Sequence, residues 1–310
     1  MLGAPLLGRA QQRQRTAHVG YLALGGTPAY RDAILSGLRE EGYLEGRNLV
    51  LEERRPEDAA GFDELARDLV RAKVNVILAW STPATLAARR ATSTIPIVMT
   101  AVGDPVGAKL VTSLAHPEGN ITGISNGDVE LAAKRLEILM EAIPHTAKIA
   151  VLRNPHNPSS QLQFENTIAA ARRFGIEVQL VDAHSASELD VAFNAIAKAR
   201  AHAICVTADP LFLSQRNKIA ELARQARIAS SFARSENAEA GGLLSYGPSY
   251  ADIFRRAGKY AGKILNGAKP RELPVEQAGI FELVINNQTA KAIGVEITRA
   301  VLLRANRVIE

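Results

Sequence analysis

At 310 residues the chain is long enough for about two globular domains. Its 47% hydrophobic and 22% charged residues are an ordinary globular balance, and no stretch approaches the ~20 apolar residues of a membrane span. The net charge of +5 is spread over the outer faces of expected helices (Arg67, Arg71, Arg172, Arg173, Arg255, Arg256), which argues against a nucleic-acid binder, and the single cysteine, Cys205, excludes an internal disulfide.

In chain order, residues 1–12 are mildly apolar and end in a small-x-Ala pattern at Ala10. That resembles the end of a secretion signal, so residues 1–17 read as a signal remnant or a disordered terminus. His18 to Leu24 is the first expected strand, followed by a helix over 28–42 with Ile34, Leu35 and Leu38 on one stripe and Gly42 as its stop. A strand at Asn48 to Glu53 and a helix over 58–72 come next. The runs Val74 to Trp80 and Ile95 to Ala101 are continuously apolar, as in a parallel sheet buried on both faces. A helix is expected over 105–115, a strand at Asn120 to Ile124, and a helix over 129–143 stopped by Pro144.

Then the pattern restarts. Strands at Lys148 to Leu152, Glu177 to Val181, His202 to Thr207, Ile228 to Phe232 and Gly242 to Tyr246 alternate with helices over 158–174, 186–200 and 210–226. The strand starts at 18, 48, 75, 96 and 120 are echoed at 148, 177, 202, 228 and 242, an internal duplication of β-α units. The tail adds a helix over 249–266, a strand at Phe281 to Ile285 and a helix over 287–293 closed by Gly294. The fold expected is α/β: two Rossmann-like parallel-sheet lobes joined by a multi-strand hinge. Lobe one comprises 18–122 plus 248–277, and lobe two 123–247 plus 278–310.

Most strands end in the same punctuation, a helix-capping residue or glycine followed by proline: Gly25-Gly26-Thr27-Pro28, Ser81-Thr82-Pro83, Val102-Gly103-Asp104-Pro105, Asn157-Pro158, Asp209-Pro210 and Gly247-Pro248. An Asp, Ser, Thr or Asn cap accepts a free helix N–H, and proline at the first helical position wastes none. Several helix N-termini are thus aimed at the space beyond the carboxyl ends of the strands, where open α/β sheets bind ligands.

The candidate ligand residues follow from these corners. Ser81 and Thr82 offer hydroxyls and N–H groups to a carboxylate, or simply cap. Asp104 and Asp209 offer a partner to an amine, or cap their helices. Arg234 can pair bidentately with a carboxylate, or stand as a surface arginine. Trp80, Tyr30, Tyr246 and Phe232 lie near strand ends or first turns and line an aromatic cleft, with Trp80 and Tyr246 expected to sandwich a flat ligand; core packing is the other reading for Phe232. Gly25, Gly26, Thr27, Val102, Asn154, Asn157 and Ser159 complete the corners.

Catalytic patterns are sparse. Gly123-Ile124-Ser125-Asn126-Gly127 matches G-x-S-x-G, yet it sits at the exit from lobe one, where a hinge strand runs. The six histidines lack metal spacing, and Gly25-Gly26 is neither a dinucleotide nor a triphosphate loop, so no metal and no cofactor are expected.

Several phrases resemble one family: Ser81-Thr82-Pro83-Ala84, Ile95-Pro96-Ile97-Val98, Val102-Gly103-Asp104-Pro105-Val106-Gly107, Gly119-Asn120-Ile121-Thr122-Gly123, Ala208-Asp209-Pro210-Leu211-Phe212, Ala240 to Pro248 and Phe281 to Asn286. The chain from about His18 to Glu310 is similar to the ABC-transporter substrate-binding proteins that include tryptophan- and phenylalanine-binding members, of the type I periplasmic binding architecture. The resemblance implies a secreted, periplasmic, monomeric receptor. It would trap a small carboxylate-bearing, aromatic ligand (an amino acid or aromatic acid) between its lobes and hand it to a membrane permease, without chemistry. Trp80 stands where many members carry a smaller residue, which implies a different pocket floor. Two other readings compete. A two-lobed α/β enzyme acting on a small amino or carboxylic acid has only Ser125 and Cys205 as candidate nucleophiles. A ligand-controlled repressor of the same fold needs a DNA-binding helix pair, for which the seventeen residues before His18 are too few.

Overall fold

The computed structural model describes residues 16–310 except 26 and 145; the signal-like segment falls outside the described residues. In chain order the elements are β1 (Ala17–Leu22), α1 (Pro28–Glu40), β2 (Leu49–Arg54), α2 (Phe62–Arg71), β3 (Val76–Trp80), α3 (Thr82–Ala91), β4 (Ile97–Val102) and β5 (Ile121–Ser125). The second series is α4 (Asp128–Ala142), β6 (Lys148–Arg153), α5 (Pro158–Arg173), β7 (Glu177–Asp182), α6 (Leu189–Lys198), β8 (Ala203–Val206), α7 (Pro210–Ser214), α8 (Arg216–Gln225), β9 (Ala229–Phe232), α9 (Ser235–Glu239) and β10 (Leu244–Pro248). The tail holds α10 (Tyr250–Leu265), β11 (Glu276–Gln277), β12 (Phe281–Asn286), α11 (Asn287–Ile293), α12 (Arg299–Arg304) and β13 (Arg307–Ile309).

The duplication is visible in the sheets. The first runs β11-β5-β4-β3-β1-β2 and the second β13-β12-β10-β9-β8-β6-β7. Stripped of tail strands, both have the order 2-1-3-4-5 of a doubly wound fold, whose ligands bind beyond the carboxyl ends where the strand order reverses. That places the ends of β1 and β3 in one lobe opposite the ends of β6 and β8 in the other. β3 and β4 are buried at every residue, which is why they read as unbroken apolar runs.

The chain passes between the sheets three times: after β5, between β10 and α10, and between β11 and β12. The passages are laced together. Ala278 N–H donates to Ser125 O at 2.9 Å, Ser249 N–H donates to Ile280 O at 2.8 Å, and Asn126 Nδ2 donates to the Tyr250 hydroxyl at 2.8 Å. β5 stays in the first sheet to Ser125, three residues beyond the boundary drawn at 122. Gly123, at φ 138°, lies so close to β4 that a Cβ there would sit 2.0 Å from Met99 O.

Two expected helices take other forms. Residues 105–109 form consecutive turns: Asp104 Oδ1 accepts from Gly107 N–H at 2.8 Å, and Lys109 at φ 54° then ends the helical geometry. The stretch 210–226 is two helices, α7 and α8, meeting at Gln215, because the Ser214 hydroxyl and the Arg216 guanidinium take the Leu211 and Leu213 carbonyls.

Candidate functional site

The two lobes meet face to face. Tyr30 of α1 donates its hydroxyl to Glu236 of α9, and the Arg234 guanidinium of lobe two lies 4.5 Å from the Tyr250 ring centroid and 5.4 Å from that of Trp80. Gly103 faces Ser159 so closely that a Cβ would fall 2.2 Å from its hydroxyl, and Gly25, at φ 74°, packs on Ser214 and the Pro210 carbonyl.

A cavity of about 240 Å³ is lined from both lobes. Its lobe-one wall is Thr82, Asp104, Gly107 and Ala108, and its lobe-two wall Pro158, Ser159, Gln161 and Leu162. The N-terminal ends of α3 and α5 therefore both border it, each bringing the positive end of a helix dipole, although in α5 the Ser159 and Ser160 N–H groups are already taken by Asn157. Asp104 uses Oδ1 on Gly107 N–H, and Ser159 Oγ accepts from Gln163 Nε2 at 3.4 Å.

Ser81, just before α3, is the most unusual backbone position of the cleft. Its φ of 90° and ψ of 163° fall in a region occupied almost only by glycine, a strain of order 1–3 kcal/mol. The surroundings hold it there: its N–H donates to Thr100 O at 3.0 Å and its carbonyl accepts from the Thr85 hydroxyl at 2.8 Å. The Ser81 hydroxyl, Trp80 Nε1 and Arg234 Nε are all buried with no hydrogen-bond partner among the described residues. Ala101 on the neighbouring strand is also left-handed, at φ 56°, beside the β4–β5 register shift between Thr100 and Val102.

The other expected site residues divide by location. Asp209 is saturated within lobe two: it caps α7 through Leu211 N–H at 2.8 Å and accepts from Asn154 Nδ2 at 3.2 Å and Asn157 Nδ2 at 2.8 Å. Burial pushes its pKa up, against the pull of those bonds and of Arg234. Asn154 and Asn157 also accept from His156 and Ser159 N–H, which makes the β6–α5 corner one hydrogen-bonded unit. Val102 is buried and its carbonyl accepts from the Ser125 hydroxyl and Asn126 N–H at the first passage. Thr27 precedes α1 without a side-chain cap, and Phe232 is buried in the core. Gly26 lies outside the described residues.

The expected sandwich of Trp80 and Tyr246 does not form. Along β10, alternation puts Tyr246 on the side of Leu244, against the α11–α12 side of lobe two, where it stacks on Phe281 at 6.4 Å. Trp80 instead packs edge-on with Tyr30 and Phe254, at 5.6 and 5.4 Å between ring centroids. Tyr250 and Phe254, which the sequence reading passed over, complete this cluster. An aromatic in the first turn of a helix following a proline corner was the available signal, since Tyr30 has the same placement.

The candidate nucleophiles are occupied or inert. The Ser125 hydroxyl donates to Val102 O at 3.0 Å, and burial pushes the Cys205 thiol up to about 12. Also missed was a buried polar chain. Asp128, 1% exposed, accepts from the Tyr250 hydroxyl at 2.9 Å and pairs with Arg135 at 3.0 Å; Arg135 reaches Gln163, which accepts from Ala208 N–H beside Asp209.

Two lobes of repeated doubly wound topology, joined by three passages with a cleft between them, are the type I periplasmic binding architecture. A family model described as ABC transporter substrate binding protein matches residues 24–309, and the chain belongs to that family. It is 32% identical to a conserved domain protein of Vibrio cholerae, with a TM-score of 0.89 over 95% of this chain and 100% of that one. An ABC domain in complex with L-Trp from Streptococcus pneumoniae is 27% identical, with a TM-score of 0.86 over 95% of this chain and 100% of that one. A tyrosine-binding protein of Clostridioides difficile is 29% identical over 86% of this chain and 76% of its own length. Against a ligand-free, open substrate-binding protein from Clostridium difficile the TM-score is 0.65, at 26% identity over 95% of this chain and 99% of that one.

Proposed function

We propose that this protein is the periplasmic receptor of an ABC importer, that it works as a monomer, and that it closes on an aromatic amino acid which it delivers to the membrane permease. The observation that carries the reading is the cavity of about 240 Å³ between the lobes, walled by Gly107, Ala108, Pro158 and Leu162 and bordered by two helix N-termini and one carboxylate. Its size, below the usual ~300–1,000 Å³ of ligand pockets, suits a small molecule. The helix ends favour the ligand's carboxylate, and the apolar wall its ring. Asp104 is the natural partner for an ammonium, because it borders the cavity and keeps an oxygen free of the Gly107 bond, whereas Asp209 is saturated by its own lobe. The relatives named for tyrosine and crystallised with L-Trp support this class of ligand.

A thermal-shift series with L-tryptophan, L-tyrosine, L-phenylalanine, L-leucine and phenylpropionate tests it, since a ligand of the native state alone raises the melting temperature. The aromatic amino acids are expected to give the largest shifts, with a smaller radius in small-angle scattering. A leucine shift exceeding all of them, or a shift without compaction, would sink the reading. Calorimetry should also find that Asp104→Asn weakens L-phenylalanine by on the order of 10- to 100-fold, the worth of a charge-assisted bond, while phenylpropionate changes little. Asp209→Asn should lower stability and leave the preference for the amino acid intact.

A further inference from the structure

The start of α9 reaches across to the other lobe at two points. Tyr30 of α1 and Glu236 of α9 stand 206 positions apart, and the Tyr30 hydroxyl donates to the Glu236 carboxylate. Arg234, the residue just before α9, lays its guanidinium 4.5 Å from the Tyr250 ring centroid and 5.4 Å from that of Trp80. Tyr30 and Arg234 are 2% and 4% exposed. Neither they nor Glu236 border the cavity that the two lobes line.

The Tyr30 ring is held by lobe one and the second passage. It stacks on Phe254 at 4.5 Å and on Tyr250 at 5.9 Å, and meets Trp80 edge-on at 5.6 Å. These rings fix its hydroxyl in advance, so little freedom is lost when Glu236 arrives. Burial first, and the Glu236 carboxylate next, push the Tyr30 pKa well above its ordinary value, which keeps the phenol a donor. A hydrogen bond to an ionised carboxylate is roughly twice as strong as one between neutral groups. With the lobes apart, both groups return to water, so this bond belongs to the closed arrangement alone.

We propose that the Tyr30–Glu236 bond, backed by Arg234 on the Tyr250 and Trp80 rings, is a latch between the lobes that raises the closed fraction with or without ligand. Tyr30, placed by its proline corner among the expected ligand contacts, then sets affinity from outside the cavity. The effect on affinity rests on the reading of the cleft as the ligand site; the latch itself is a property of the unliganded chain.

Tyr30→Phe keeps the stacked ring and removes only the hydroxyl. By calorimetry it should weaken L-phenylalanine by on the order of 10-fold. Trp80 is the only tryptophan, so stopped-flow fluorescence follows this region alone. It should place the change in the dissociation rate, with association within about threefold, whereas a merely structural role would lower the unfolding midpoint and leave that rate alone. Glu236→Ala should weaken binding at least as much, because it strands a buried hydroxyl in the closed form, and the double change should be no weaker than Glu236→Ala alone. If both single changes leave affinity and dissociation within about twofold, the latch is wrong and the cleft reading stands.

If no aromatic amino acid binds, the cleft reading fails, and a cross-link decides the latch alone. A Cβ on Gly25 would lie 3.3 Å from the Ser214 Cβ of the other lobe, close to the ~3.5–4.5 Å of a disulfide. In the unliganded protein carrying Gly25→Cys and Ser214→Cys the bridge should form under mild oxidation, since the native Cys205 is buried away from it. Adding Tyr30→Phe should slow its formation by on the order of 10-fold, in step with the closed fraction. Equal rates, or no bridge without Tyr30→Phe, overturn the latch.

Discussion

Asp128→Ala is expected to destabilise the protein by about 3–5 kcal/mol, the largest effect of any single change in the passages between the lobes. Asp128 begins α4 directly after the first passage and is the hub of a buried set. Its carboxylate accepts from Asn126 Nδ2 and from the Tyr250 hydroxyl, and it pairs with Arg135, which is itself 4% exposed. Removing the carboxylate leaves a buried guanidinium with Gln163 and one backbone carbonyl, and that uncompensated charge dominates the loss. Urea unfolding should show a lower midpoint at unchanged slope. The double change Asp128→Leu with Arg135→Met removes both charges and should recover most of the loss. If it is no better than the single change, the ion pair is not the source. The exposed pair Arg224–Glu221 is the contrast: its removal should change stability by less than about 1 kcal/mol.

Gly37→Ala and Gly258→Ala are expected to destabilise as well, against the ordinary direction. In an exposed helix the change from glycine to alanine gains about 1 kcal/mol. Here α1 and α10 cross at near-backbone contact: a Cβ on Gly37 would lie 1.8 Å from Arg255 O, and one on Gly258 2.2 Å from Ile34 O. The obstructing atoms are backbone, so the helices must separate, which costs about 1–3 kcal/mol or more and outweighs the propensity gain. The separation also moves Tyr250 and Phe254 away from Tyr30, with which they stack at 5.9 and 4.5 Å, so the Trp80 emission should shift with the loss of stability. An alanine variant at either position with an unchanged or raised unfolding midpoint would show that the helices do not meet so closely. The pair should be less than additive, because a crossing opened by one Cβ accommodates the second.

How much of this was legible beforehand differs by level. Val76–Trp80 and Ile97–Val102 declare themselves as buried parallel strands because every residue in them is apolar, and the five-fold spacing announces a second lobe before any contact is known. Most proline corners mark helix N-termini through local bonding alone, and Asn157 and Asp209 accept the N–H groups expected of them, whereas Asp104 accepts one at the start of turns that never become a helix. Local chemistry could not say which of these corners borders a cavity. Asp104 and Asp209 are alike in sequence, and what separates them is that two asparagines of the β6–α5 corner arrive beside Asp209.

The sequence by itself determined the duplicated α/β architecture and the positions of its helix starts, because these depend on side-chain periodicity and on bonds within four residues. The tertiary structure decided what faces what. Strand alternation turned Tyr246 onto Phe281 and away from the cleft, the second passage delivered Tyr250 and Phe254 to the Trp80 ring, and closure brought Arg234 from the other lobe onto that ring. The contacts on Trp80 join residues more than a hundred positions apart and that of Tyr246 spans two strands of one sheet, so no local pattern encodes them.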